Sequence, residues 1–74
     1  MSELRIMKSG KGDEVVTWDV DVDEQVETAQ RQFEELLKIG YSAYRSEGGG
    51  QGTLIREFDS KADRIVMFGP VAGG

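Results

Sequence analysis

A chain of 74 residues forms one domain, near the size at which roughly 60% of the unfolded surface is buried and stability is modest. It has no cysteine and no histidine, which excludes disulfides, thiolate chemistry, the usual general base and the commonest metal ligand, so neither a catalytic role nor a cofactor is expected. Fourteen acids against nine bases give a net charge of −5 with no basic stripe, which argues against nucleic acid. No apolar run reaches membrane length and residues 1–11 lack the blocks of a signal peptide, so no membrane association is expected and the expected location is the cytoplasm.

From Glu3 to Lys8 the residues alternate, with Leu4 and Ile6 on one side and Arg5 and Met7 on the other, which predicts a strand with one buried face. Ser9-Gly10-Lys11-Gly12-Asp13 reads as a turn. Alternation resumes from Glu14 to Val20, with Val16, Trp18 and Val20 on one face, so the first twenty residues form a predicted β-hairpin. An amphipathic helix follows, its stripe made of Val22, Val26, Ala29, Phe33, Leu36 and Leu37. Asp21 is the expected N-cap with Glu24 completing a capping box, and Gly40 stands where a left-handed C-terminal cap belongs. Glu27 with Arg31 and Glu34 with Lys38 are the expected ion pairs on the wet side.

Beyond the helix the period shortens to two. Tyr41 to Arg45 is a predicted strand, Glu47 to Gly52 a loop, Thr53 to Phe58 a strand, Asp59 to Asp63 a polar connection and Arg64 to Phe68 the last strand. The order β-β-α-β-β-β, with one amphipathic helix, predicts an α+β domain in which the helix packs across one face of a mixed sheet. The apolar I-V-M-F segment suits a strand at the centre of that sheet, which leaves the more polar strands towards an edge.

Several motifs invite a chemical reading and fail it. Asp19, Asp21 and Asp23 resemble the start of a calcium loop, but Glu24 stands where the loop needs glycine and Gln30 where it needs glutamate. The glycine-rich stretch from Glu47 to Thr53 leads into a strand and carries no following lysine, so a hairpin tip is expected in place of a phosphate cradle. Trp18, Phe33, Phe58 and Phe68 are mostly assigned to the core. Tyr41 and Tyr44 point to opposite faces of one strand, so one ring is expected in solvent as a partner contact. Glu34 with Glu35, and Glu57 with Asp59, offer no proton-transfer pairing.

The sequence ends R-I-V-M-F-G-P-V-A-G-G. At ordinary glycine usage of about 7%, two such residues fall together by chance in roughly 0.5% of cases. A carboxylate that follows two residues without side chains can thread a narrow channel, and, being a poor electrophile, it reacts in acyl transfer only after activation such as adenylation.

With the polar D-S-K-A-D before it, this segment resembles the C-terminal end of the ubiquitin-like β-grasp sulfur carriers, the small subunit of molybdopterin synthase and the thiamine-pathway carrier. Asp63, Ile65, Val66, Phe68, Pro70, Val71, Ala72, Gly73 and Gly74 match that pattern. The resemblance implies a β-grasp domain over residues 1–68, with the last strand parallel to the first at the sheet's centre, and a flexible diglycine tail over 69–74. It further implies an ATP-dependent adenylating enzyme acting on Gly73-Gly74, a docking tail of Phe68, Pro70, Val71 and Ala72, and a downstream acceptor protein. Sulfur carriage and protein conjugation share that first step, and a separate ubiquitin-like branch stays open beside both. The alternative is a small non-catalytic protein-interaction module, of phage or defence type, with an incidental tail.

Overall fold

The computed structural model describes residues 1–8, 12–46 and 52–69. Its elements are β1 (Ser2–Lys8), β2 (Gly12–Trp18), α1 (Asp23–Lys38), β3 (Ser42–Ser46), β4 (Thr53–Ile55) and β5 (Arg64–Phe68). The strands form one mixed sheet in the order β2-β1-β5-β3-β4, with β5 parallel to β1 and every other pairing antiparallel. The last strand therefore lies at the centre, as its apolar composition predicts. Of the two more polar strands, β4 lies at one edge and β3 one place inward, while the hairpin strand β2 forms the other edge.

Alternation along β1 and β5 sends Leu4, Ile6, Ile65 and Met67 to the helix side, where all four are fully buried with Trp18, Ala29, Phe33, Ala43 and Ala62. Burying a ring such as Phe33 stabilises the fold by about 1.5 to 3 kcal/mol, so this small set supplies much of the driving force. Val26, Leu36, Leu37, Tyr41 and Phe58 pack around it as partly buried neighbours.

The helix ends as the sequence predicts. Gly40 adopts φ of 105°, its N–H donates to the Leu37 carbonyl, and the Tyr41 N–H donates to that of Leu36, closing the last turn. Its start differs from expectation. The N-cap is Val22, with no side-chain cap, and Val22 is exposed rather than part of the buried stripe. Asp19 accepts the Asp21 N–H on Oδ1 and the Val22 N–H on its carbonyl, while Gln25 Oε1 reaches back to the Asp19 N–H. Asp19 organises this turn, so β2 stops at Trp18 and Val20 is left in solvent. On the wet face Gln30 donates to Glu34, and the expected pairs of Glu27 with Arg31 and Glu34 with Lys38 are not formed among the described residues.

β4 also ends early, at Ile55 rather than Phe58. Ile55 opposes Ala43 on the helix side, so strict alternation would carry Phe58 to the opposite face. By leaving the sheet, the chain instead turns Phe58 into the core, with its ring centroid 5.0 Å from Trp18 and 5.6 Å from Phe33. The segment after it is held by the Trp18 Nε1–H, which donates to the Ser60 carbonyl at 3.0 Å, and by burial of Ala62. Arg45 donates to Asp59 at 2.7 Å, and Asp59 also accepts the Lys61 N–H. These bonds hold the Asp59 carboxyl below its ordinary pKa of 3.8, the Arg45 contact being the larger cause.

Candidate functional site

Among the described residues, the face of the sheet away from the helix carries no layer of its own. Register places Val15, Arg5, Val66, Tyr44 and Leu54 in one row across it, and Asp13, Met7, Phe68 and Ser42 in the next. The β1 side is polar: the Glu3 carboxylate lies 3.5 Å from Arg5 and 3.4 Å from Arg64, and Arg5 also reaches Asp13. The β5, β3 and β4 side is apolar. There Phe68, Tyr44 and Leu54 stay 43%, 37% and 56% exposed around Val66 and Met7.

This apolar half is a built surface rather than a scatter of side chains. Phe68 and Tyr44 meet edge to face with centroids 5.9 Å apart, which fixes both rings over the sheet. Gly52 passes so close behind Tyr44 that an added Cβ would meet the tyrosine Cβ at 3.2 Å. Met7, Ser42, Tyr44, Val66, Phe68 and Gly69 line one open concavity of about 690 Å³. Its floor is a two-residue-period strand face, so its shape is set by the core beneath it.

β5 leads out along this surface. Gly69 still donates to the Met7 carbonyl at 3.4 Å, one bond beyond the end of the strand. A Cβ at Gly69 would sit 3.3 Å from the Tyr41 ring, so the glycine answers a close approach as well as marking the end of β5. Of the residues that the sequence points to, Phe68 is placed on the apolar surface, while Pro70, Val71, Ala72, Gly73 and Gly74 lie outside the described residues. Of the loop from Glu47 to Gly52, expected as a hairpin tip, residues 47–51 lie outside them too.

The expectation that one of Tyr41 and Tyr44 faces solvent holds: Tyr44 is exposed, and Tyr41 packs against the core. The sequence reading does not pick out Val66, Met7 or Leu54 as members of the same surface. A signal for it was present in R-I-V-M-F, where Ile65 and Met67 fill one face and Val66 and Phe68 leave the other apolar as well. Among the described residues, no three carboxylates converge to hold a metal ion, and Asp19 of the D-V-D-V-D run is engaged in its turn. No helix among them is long and apolar enough to cross a membrane.

Compared with known proteins, the chain matches no family model, no curated protein and no solved structure.

Proposed function

We propose that the protein is a ubiquitin-like β-grasp carrier or modifier that works through the carboxylate of Gly74. The observation that carries this reading is the position of β5: central, parallel to β1, and leading through Gly69 off an exposed apolar surface. An enzyme that docks on Phe68, Tyr44 and Val66 would meet the chain where it leaves β5 at Gly69, five residues before the Gly74 carboxylate. The Gly74 carboxylate attacks the α-phosphorus of ATP, pyrophosphate leaves, and an acyl-adenylate forms. Hydrosulfide then displaces AMP to leave a thiocarboxylate. In the conjugating variant an enzyme thiolate displaces AMP, and a target amine displaces the thiolate to give an isopeptide bond.

The intact mass of the protein from its native host tests this, with the C-terminus left untagged. Exchange of one oxygen for sulfur, or a set of heavier conjugates, is expected for the full chain, and neither after removal of Gly73 and Gly74. If the full chain and the truncated chain behave alike, the reading falls. The exposed sheet face favours a second reading, a non-catalytic interaction module. A partner that binds the protein lacking residues 70–74 with undiminished affinity supports it.

A further inference from the structure

The two edges of the sheet are unequal. β4 is three residues long, which is one way proteins keep an edge from pairing. β2 is seven residues long, and it pairs with β1 in unbroken register from Ser2 opposite Trp18 to Lys8 opposite Gly12, without bulge or proline. The direction of its free backbone groups follows from β1. Glu3 donates to the Asp63 carbonyl and Met7 accepts from the Gly69 N–H, so Glu3, Arg5 and Met7 turn their backbone groups towards β5. Ser2, Leu4, Ile6 and Lys8 therefore bond to β2 at Trp18, Val16, Glu14 and Gly12. The N–H and C=O groups of Asp13, Val15 and Thr17 are turned to the outer edge, where no strand among the described residues pairs with them, beside the β-branched run Val15-Val16-Thr17.

Charge is concentrated at the same edge. Residues 12–30 hold seven of the fourteen carboxylates and none of the nine lysines and arginines, so this stretch carries −7 and the rest of the chain +2. Asp19 follows directly on Trp18, and Asp21 and Asp23 lead into the helix. Glu24 joins Val16, Thr17, Gln25 and Thr28 around a groove of about 220 Å³ between β2 and α1. An added strand would thus find backbone partners at the edge, a groove for one side chain beside Val16, and a negative rim at the Trp18 end.

We propose that the free edge of β2 receives an extended, lysine- or arginine-flanked segment of a partner protein by strand addition. Backbone pairing with Asp13, Val15 and Thr17 holds the segment, and the carboxylates at Asp19, Asp21, Asp23 and Glu24 select its basic flank. The same charge disfavours a second copy of this chain, because pairing β2 with β2 brings two −7 stretches together. The proposal is independent of any chemistry at Gly74.

The test uses the isotope-labelled full chain and the synthetic peptide KRTVTVTRK, with its charge-inverted form EDTVTVTDE as control. Saturation with the basic peptide is expected to slow amide exchange at Asp13, Val15 and Thr17 and to leave β4 unchanged. N-methylation of one alternate set of peptide amides is expected to abolish binding, and methylation of the other set to leave it intact. The triple variant Asp21→Asn, Asp23→Asn, Glu24→Gln is expected to weaken binding about tenfold at low salt, with the difference shrinking as salt is raised. Three results each overturn the proposal: equal binding of the acidic peptide, protection confined to β4 or the open sheet face, or edge protection that rises with protein concentration when no peptide is present.

Discussion

The two faces of the central strands are built from the same alternation and end in opposite states. On the helix side Leu4, Ile6, Ile65 and Met67 are sealed, whereas one residue along each strand Arg5, Met7, Val66 and Phe68 reach a face that no element among the described residues covers. The first face accounts for itself, because burial of that set is what holds a small domain together. The second does not, since exposed apolar area of this kind contributes little to the fold, and contiguous apolar patches of this sort are what partner molecules dock on in other soluble proteins. Core and exposed apolar surface are therefore separated by residue parity along a single strand.

Truncating one aromatic ring on each face separates the two roles, and the buried ring carries the larger effect. Phe33→Ala removes a fully buried ring that touches Phe58, and is expected to cost about 3 to 5 kcal/mol, enough to unfold much of a domain this size at room temperature. Urea denaturation checks it through a fall in midpoint with the slope unchanged. A loss below about 1 kcal/mol would mean that the helix side is not the core.

A smaller effect tests how the irregular segment is bound to that core. Trp18→Phe keeps the ring contact with Phe58 but leaves the Ser60 carbonyl without its donor, and about 1 to 2 kcal/mol should be lost. Faster amide exchange at Lys61 and Ala62 than in the unsubstituted chain would localise the loss to residues 59–62. Uniform acceleration across the sheet would show instead that the bond serves the core as a whole.

How far these features were legible in the sequence depends on the range of the interactions behind them. The helix, its glycine cap and the central last strand follow from periodicity and composition, which act over neighbouring residues. The stops at Trp18 and Ile55 do not, because each is decided by a contact that periodicity does not carry: Asp19 closing its turn on Gln25, and Phe58 crossing to meet Phe33 and Trp18. The apolar face was visible only in part. Tyr44 could be assigned to one side of its strand, but its union with Val66, Leu54 and Phe68 requires the register of three strands, which no single segment encodes. Charge shows the same limit: the acidic bias of residues 12–30 is plain in the sequence, whereas its place along a free edge is a property of the sheet order.

The Arg45–Asp59 contact supplies a pH test of the segment that follows Phe58. Because the folded state lowers the Asp59 pKa, the stabilisation is fully present above the ordinary value of 3.8 and is lost as pH falls through the lower folded value. Both side chains are partly in solvent, so less than about 1 kcal/mol is at stake. Asp59→Asn mimics the protonated state and can still accept the Lys61 N–H, so its stability should lie below that of the unsubstituted protein at pH 7. The two should converge under acid conditions. A gap that persists at pH 2 would assign the effect to something other than the charge.

The smallest expected stability change falls on the open face, and it is the one that gives the comparison functional meaning. Phe68→Thr puts a β-branched residue of high strand propensity into the central strand while removing the ring that meets Tyr44 edge to face, and should shift stability by under about 0.5 kcal/mol. If this surface receives the enzyme that acts on Gly74, the same substitution removes an exposed aromatic anchor, and the yield of modified protein in the native host should fall about tenfold. Intact mass measures that yield, and urea denaturation of the same preparation measures the stability. Unchanged modification with unchanged stability would detach the apolar face from the chemistry of the tail, leaving the surface to the interaction-module reading. A large loss of stability would place Phe68 with the core and erase the distinction between the two faces.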